Sequence, residues 1–349
     1  MKPLISVCIP AYNRTEFLGP LLDSIVAQDY HDYEIVICED GSPKRAEIKV
    51  IVDQYMKRFP NLSFRYFENP KNYGYDKNLR ELLIRSQGEY CLFMGNDDLL
   101  APHALQVISS GVKRHKDIGV VMRSYASFDG TTDNIVQTYR YFDQERFFPA
   151  SVETSTTFFR RCVVIPGLTL HRESALKHTT EQFDGTLLYQ LHLVLRILLE
   201  KNGLFLPEIV TLYRTGGTPD FGNSESEKGK FTPTEQTPES SLHFVEGMIR
   251  IARVGEKETG APCFKPIFRD IANYSYPILS IQSKRSLGTF LNYGFTLARM
   301  GFWKNHYFWA YFLSLLILGE SRMNALIVFI KKRLGYTPTL GGVSKGQVS

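Results

Sequence analysis

Hydrophobic positions over the first hundred residues switch repeatedly between two patterns. Leu4-Ile5-Ser6-Val7-Cys8-Ile9-Pro10 is short, β-branched and nearly continuous in apolar character, the pattern of a strand covered on both faces. Glu16 to Gln28 places apolar residues at 17, 18, 21, 22, 25 and 26, a helical period, and Tyr33 to Cys38 returns to the strand pattern. A helical segment (Lys44 to Arg58), a strand (Leu62 to Phe67), a helix (Lys77 to Ser86) and a strand (Tyr90 to Met94) follow. Such alternation makes βαβ units and predicts an α/β protein with a doubly wound, mainly parallel sheet and helices on both faces. Strand-like pieces recur at Gly119 to Met122 and Gly167 to Leu170, with an apolar helix at Thr186 to Leu199 and an extended run at Leu204 to Tyr213. Thr215 to Ser241, dense in Gly, Pro, Ser, Thr and Glu, reads as a lid or a linker, and the pattern beyond it is helical.

Composition adds bounds. With 349 residues, 43% hydrophobic and 22% charged, the chain can bury a sizeable core and is not disordered. The net charge of +5 hides an uneven distribution: Lys284 to Ser349 holds nine Lys or Arg against Glu320 alone, a local +8 that leaves −3 for the rest. That argues against a general polyanion-binding surface, and no nucleic-acid partner is expected. Cysteines at 8, 38, 91, 162 and 263 are scattered, three of them inside apolar runs, without metal-ligand spacing. This argues against a disulfide framework and for a reducing, cytoplasmic setting. Leu4 to Ala11 is followed by polar Tyr-Asn-Arg and no small-residue cleavage site, so no signal peptide is expected.

The C-terminal apolar run Tyr307 to Leu318 has twelve residues, too few to span a bilayer as a helix, and Ala325 to Ile330 leads into Lys331-Lys332-Arg333. Aromatics beside a basic cluster suit a helix lying in the membrane interface, where each cation near an anionic leaflet contributes about 1 kcal/mol. The other reading is a helical hairpin packed on the catalytic unit, its cations solvated.

Candidate chemistry centres on Asn96-Asp97-Asp98, directly after the apolar strand Tyr90 to Met94. Ionised acids are rarely buried unless paired or coordinating a metal, and ligands of open α/β sheets bind beyond the carboxyl ends of the strands. Two readings follow: a divalent cation held against an anionic ligand such as a diphosphate, or a solvated Gly-Asn-Asp-Asp turn whose acids cap a helix starting near Pro102.

Pro10-Ala11-Tyr12-Asn13-Arg14 after the first strand, Glu39-Asp40-Gly41-Ser42 after the second and Asn96-Asp97-Asp98 after the fourth together resemble the family 2 glycosyltransferases of the GT-A fold. Asn72-x-Gly74 followed by Asn78, and Gly88-Glu89-Tyr90, resemble this family too. The resemblance covers residues 1 to about 105, weakens to about Tyr213 and is absent beyond. It implies a donor-binding half at residues 1–105, an acceptor-binding half at 106–225, and a linker or lid with a basic helical region at 226–349.

On this resemblance Asp40 accepts the imide N–H of uracil or thymine, a charge-assisted bond, while Pro10, Tyr12 and Asn13 wall the nucleoside. Arg14, Asn78, Asn96, Asp97 and Arg214 complete the expected substrate-binding set. Asp98 is the expected ligand of Mg²⁺ or Mn²⁺, beside diphosphate oxygens and water. Asn96 stands where the family usually has Asp, which leaves open weaker metal binding or a contact of Asn96 with the sugar.

The general base of many relatives lies in a Glu-Asp pair, and the corresponding stretch Phe183 to His192 has none. Asp184, which could equally cap the Thr186 helix, and His192 are the candidates. Lys77, Arg80 and Arg214 could meet phosphate or a phosphorylated lipid. No Gln-x-x-Arg-Trp motif of processive synthases is present, so one sugar per event is expected.

The function implied is inverting, metal-dependent transfer of one hexosyl or deoxyhexosyl group from a nucleoside-diphosphate sugar to a saccharide or lipid-linked acceptor. Bacterial O-antigen or capsule assembly at the cytoplasmic face of the inner membrane would be its setting, with peripheral contact to anionic lipid. The rival is a catalytically silent nucleotide-sugar binding or scaffold protein, suggested by Asn96 and the missing Glu-Asp pair. A sugar nucleotidyltransferase would need a Gly-rich basic loop after the first strand, and Pro10 to Arg14 is not one.

Overall fold

The first strand, β1 (Ile5–Ala11), alternates its side chains between two cores, which is why its sequence is apolar almost throughout. Ile5, Val7, Ile9 and Ala11 join one cluster and Cys8 the other. The computed structural model describes residues 2–217, 220–334 and 347–348, with the side chains of 328 and of 330 onward excepted. After β1 come α1 (Thr15–Val26), β2 (Tyr33–Glu39), α2 (Arg45–Arg58), β3 (Ser63–Glu68), α3 (Tyr75–Arg85) and β4 (Tyr90–Phe93). These follow the periodicity to within a turn. Strand β5 (Leu99–Leu100) and helix α4 (Ala104–Arg114) close the first half.

The second half holds β6 (Ile118–Phe128), β7 (Ile135–Tyr139), β8 (Arg146–Phe148), α5 (Val152–Phe159), β9 (Thr169–His171), α6 (Arg172–Lys177), α7 (Tyr189–Leu198) and β10 (Asn202–Arg214). Helices α8 (Pro238–Thr259), α9 (Phe264–Asn273), α10 (Tyr276–Gln282), α11 (Leu287–Arg299) and α12 (His306–Leu334) follow, with a last short strand, β11 (Gln347–Val348).

One sheet of eleven strands runs through both halves: nine follow the order β11-β8-β10-β6-β9-β4-β1-β2-β3, and β5 and β7 pair off this path with β10 and β6. The long ladders are parallel: β1 with β2 and β4, β2 with β3, and β6 with β10. Short β9 pairs antiparallel with both β4 and β6 and welds the two parallel blocks together. Strands of two or three residues carry no readable period, so β5 and β8 add antiparallel pairs that the alternation does not announce, while β9 falls on the strand-like piece Gly167 to Leu170. Strand β6 is buried along all eleven residues, seven more than its apolar run suggests, because buried Arg123, Ser124 and Ser127 interrupt the pattern without ending the strand.

Helices α1, α2 and α4 cover one face of the sheet, and α3, α5 and α7 the other. Helices α8 to α12 extend this second core: Phe290, Phe302, Phe308, Phe312 and Leu315 belong to it. The helical region thus packs on α5 and α7, and α11 and α12 also leave Phe295, Leu313 and Ile317 exposed. Helix α12 breaks at Gly319, whose φ is 72°. Among the described residues no helix is long and apolar enough to cross a membrane. The side chains of Lys331, Lys332 and Arg333 lie outside the described residues.

Candidate active site

Parallel pairing in register brings the carboxyl ends of β1, β2 and β4 to one edge, with Ala11 beside Glu39 and Cys8 beside Phe93. The segments that leave those ends therefore meet over a single cavity of about 350 Å³. Pro10, Tyr12, Arg14, Asp40, Asn78, Asn96, Asp97, Asp98 and Arg214 all line it. Asn13 does not; its amide donates to Asp220 at 2.7 Å.

Asp40 is buried behind β2 and accepts from Asn69 Nδ2 (2.8 Å) and the Tyr73 and Gly74 amides (both 2.9 Å). Burial outweighs these bonds and pushes its pKa up to about 6. Oδ1 takes two donors and Oδ2 takes one, so Oδ2 keeps room for a ligand N–H. The turn that delivers Asp40 requires glycine next to it: Gly41 has φ 67°, and a Cβ there would sit 2.5 Å from the backbone of Lys71 and Asn72. Glu39 closes the same turn by accepting the Gly41 amide at 3.1 Å and the Ser42 amide at 2.5 Å.

The acids after β4 do not cap α4, which begins at Ala104 after His103 and receives no side-chain cap. Asp97 pairs with Arg14 instead. Asp98 accepts the Arg214 amide at 2.9 Å, while Arg214 Nε donates to the Asp97 carbonyl at 3.0 Å. The Arg214 guanidinium lies 4.5 Å from the Phe17 ring and 4.6 Å from that of Phe128, so it is fixed as well as charged. Burial, and then the neighbouring Asp97 charge, raise the Asp98 pKa well above the carboxylate range. Asn96 Nδ2 donates to the Tyr12 carbonyl at 3.1 Å, a bond an aspartate could not make. The amide at this position thus ties the β4 loop to the β1 loop.

A buried carboxylate raised in this way favours a cation close by, and the oxygen donors here are hard ligands suited to Mg²⁺ or Mn²⁺. Among the described residues no group of three or more His, Cys, Asp or Glu is placed to hold a metal. A cation bound here would have Asp98 and Asp97 as its carboxylates and would need the rest of its shell from ligand phosphate and water.

The two expected base candidates lie elsewhere. Arg80 binds both Asp184 oxygens at 2.8 and 2.9 Å, so neither the carboxylate nor Arg80 turns to the cavity. Asp184 is no helix cap either, since α7 starts at Tyr189 and buried Asp76 serves that end. Asp76 Oδ2 accepts the Thr186 and Leu187 amides at 2.9 Å and Oδ1 the Tyr189 amide at 2.8 Å. His192 is 3% exposed, donates from Nε2 to the His178 carbonyl at 2.9 Å, and has its pKa pushed down to about 4 by burial. It is a core residue.

Several cavity residues carry no mark in the sequence. The segment after β10 covers the cleft and contributes Asp220, Phe221 and Glu227. Glu227 accepts the Tyr75 amide at 2.8 Å and the Gly222 amide at 2.9 Å, anchoring the segment to the start of α3. Gly74 (φ 85°) permits this approach, because a Cβ there would lie 2.5 Å from Ser224 Oγ and 2.9 Å from Glu227 Oε1. Val163 to Pro166 and Leu187 form a further wall. Only the polar composition of Thr215 to Ser241 signalled a covering role, and nothing in it showed which side chains turn inward.

An α/β sheet with this pocket at the carboxyl ends of its first strands, backed by a helical C-terminal region, has the GT-A glycosyltransferase fold. Residues 6–179 match Glycosyl transferase family 2, and over that stretch the chain belongs to this family. The crystal structure of S. aureus TarS 1–349 in complex with UDP-GlcNAc shares the fold, with a TM-score of 0.58 at 16% identity over 99% of this chain and 100% of that one. So does the mannosyltransferase PcManGT from Pyrobaculum calidifontis, solved with GDP-Man and Mn²⁺: TM-score 0.51, 16% identity, 91% of this chain and 87% of that one. In sequence, abequosyltransferase RfbV of Salmonella typhimurium is 32% identical over 126 residues, 36% of this chain and 38% of RfbV. Glycosyltransferase GlyG of Streptococcus pneumoniae is 28% identical over 134 residues, 38% of this chain and 43% of GlyG. The matched stretch thus spans less than half the length of each of these relatives.

Proposed function

We propose that this protein is an inverting glycosyltransferase that moves a single sugar from a nucleoside-diphosphate sugar to a saccharide or lipid-linked acceptor in cell-surface polysaccharide synthesis. The observation that carries the reading is the meeting of Asp40, with a vacant acceptor position, and the Asp97-Asp98 pair in one cavity beside Tyr12. Residues 1–105 would hold the donor, 106–225 the acceptor, and the remainder would cover and support the site. Asp40 would accept the N–H of the base, with Pro10, Tyr12 and Asn78 around the nucleoside, and Arg14 and Arg214 near the diphosphate. Mg²⁺ or Mn²⁺ at Asp98 would stabilise charge on the departing nucleoside diphosphate. RfbV and GlyG are named as glycosyltransferases, and PcManGT was solved with Mn²⁺, which supports the class and the metal.

In the transfer, the acceptor oxygen forms a bond to the anomeric carbon. The bond from that carbon to phosphate breaks, the electron pair leaves with the diphosphate, and the hydroxyl proton passes to a base. Of the cavity carboxylates outside the donor half, Glu227 is tied by two backbone amides, whereas Asp220 accepts only from the side-chain amides of Asn13 (2.7 Å) and Asn223 (3.3 Å), bonds that rotate away more easily, which favours Asp220 for this task. Thermal stabilisation by a panel of nucleoside-diphosphate sugars, with and without Mn²⁺, tests the donor reading, because a ligand of the folded state alone must raise its stability. Asp220→Asn should then keep donor binding and lose about 10²–10⁴-fold in transfer of a labelled sugar. Full transfer would remove Asp220, and absence of any transfer by the parent protein would favour a silent binding protein.

Exposed Trp303, Phe295 and Ile317 on the C-terminal helices support peripheral contact with an anionic membrane at its cytoplasmic face. Equal flotation with anionic vesicles of the full chain and of a Trp303→Ser, Ile317→Ser variant would oppose it.

A further inference from the structure

The cavity has a second wall whose side chains are all aliphatic. Ahead of the closing strand β10, the second half contributes Val163, Val164, Ile165, Pro166 and Leu187. The carbonyls along this wall are all engaged. Val163 O accepts from Gln190 Nε2 at 2.8 Å, Val164 O from Arg123 Nη2 at 2.9 Å, and Ile165 O from the Leu168 amide at 2.7 Å. Pro166 O accepts from Arg123 Nε at 2.7 Å and from Thr211 Oγ1 at 3.1 Å.

Arg123 is the unusual member. It is fully buried and makes no ion pair to a carboxylate among the described residues, so backbone carbonyls and the Tyr125 ring, 4.9 Å from the guanidinium, replace its hydration. Its hydrogen bonds turn the wall's carbonyls away from the cavity. Leu187 is held by a parallel device. It sits in the left-handed region at φ 62°, rare for a leucine, and its amide is taken by buried Asp76. The side chains that remain to face the cavity are aliphatic, and no carbonyl of Val163 to Pro166 is left free.

The wall stands beside the acids. The Gly167 amide donates to the Phe93 carbonyl at 2.7 Å and the Phe93 amide to the Leu168 carbonyl at 2.9 Å, fastening the wall to the end of β4, the strand that delivers Asp97 and Asp98. A sugar carried on a diphosphate at those acids meets this surface.

We infer that the wall of Val163 to Pro166 and Leu187 is a subsite for the methyl group of a 6-deoxyhexose, so that the transferred sugar is of this class. The inference rests on the cavity being a nucleotide-sugar site, with the sugar of a donor held by residues 1–105 reaching across to this wall of the other half. A hydroxyl turned to this wall loses its water and finds no partner, whereas a methyl group gains by leaving water. C6 is the exocyclic carbon of a hexopyranose, where loss of the hydroxyl exposes the largest apolar group the ring can present.

The test titrates the full chain, with Mn²⁺, with UDP-glucose against UDP-6-deoxyglucose, GDP-mannose against GDP-6-deoxymannose, and dTDP-glucose against dTDP-6-deoxyglucose, with UDP, GDP and dTDP alone as a third arm. On whichever nucleotide binds, the 6-deoxy sugar should bind about tenfold or more tighter than its partner. Leu187→Gln and the near-isosteric Val164→Thr should each bring that ratio toward one. Equal binding of the two sugars, or a ratio untouched by both substitutions, overturns the subsite and leaves the glycosyltransferase reading standing. Binding of no nucleotide at all overturns both.

Discussion

The two walls of the cavity use buried polarity in opposite directions. On the donor side, Asp40 and Asp98 are buried with part of their acceptor capacity turned to the cavity, and both titrate above the ordinary carboxylate range as a result. On the other side, Arg123 and Asp76 are buried just as deeply but spend their hydrogen bonds on the backbone of the residues in front of them. The first arrangement makes a surface that binds ions and N–H groups, and the second makes an aliphatic one. A buried charge is therefore no mark of ligand contact by itself; the direction of its hydrogen bonds decides.

The sharpest way to break this contrast is at Asp76. Asp76→Ala leaves three buried amides without an acceptor, each costing about 1–3 kcal/mol, so unfolding free energy should fall by about 3 kcal/mol or more. Asp76→Asn keeps an acceptor oxygen and should lose less. Denaturant unfolding of both variants checks this, and an alanine variant no worse than the asparagine one would show that the carboxylate does not hold the Leu187 turn.

A smaller effect separates stability from ligand binding by pH. Asp40 and Asp76, with values near 6 and near 7, keep protons in the folded protein that an unfolded chain would release at a lower pH. Their contribution to stability is thus fully present below about pH 4 and is lost as pH rises through about 6 to 7. Nucleotide binding has the opposite sign, since ionised Asp40 accepts the N–H with a charge-assisted bond that its neutral form lacks: affinity should fall, by up to about tenfold per unit, as pH drops below about 6. Melting curves and nucleotide titrations from pH 4 to 8 should therefore slope oppositely. A pH-independent affinity would remove Asp40 from the base contact.

The sequence made the polar wall far more legible than the apolar one, for a physical reason. Tyr12, Asp40 and Asp98 follow strands whose continuous apolar runs mark their ends, and parallel pairing brings those ends together without further information. Even there the role of Asn96 could not be read, because its bond to the Tyr12 carbonyl depends on how two loops meet. Val163 to Pro166 reads as ordinary core until one sees that Arg123 and Gln190 hold its carbonyls from behind. Asp184 and His192 attracted attention as titratable groups near the expected place, but a bidentate Arg80 and a surrounding core absorb them. Sequence distance hides such partners: Asp76 and Leu187 are 111 residues apart.

The account stands most directly on Asp98. Calorimetric titration of the wild-type chain and of Asp98→Asn with UDP, GDP and dTDP, each with and without Mn²⁺, measures whether the acid pair and the base pocket serve one ligand. The prediction is that one nucleoside diphosphate binds the wild type, that Mn²⁺ tightens it by about tenfold or more, near 1.4 kcal/mol, and that Asp98→Asn loses this increment. Failure of every nucleoside diphosphate to bind, or an Mn²⁺ increment that survives Asp98→Asn, would contradict it.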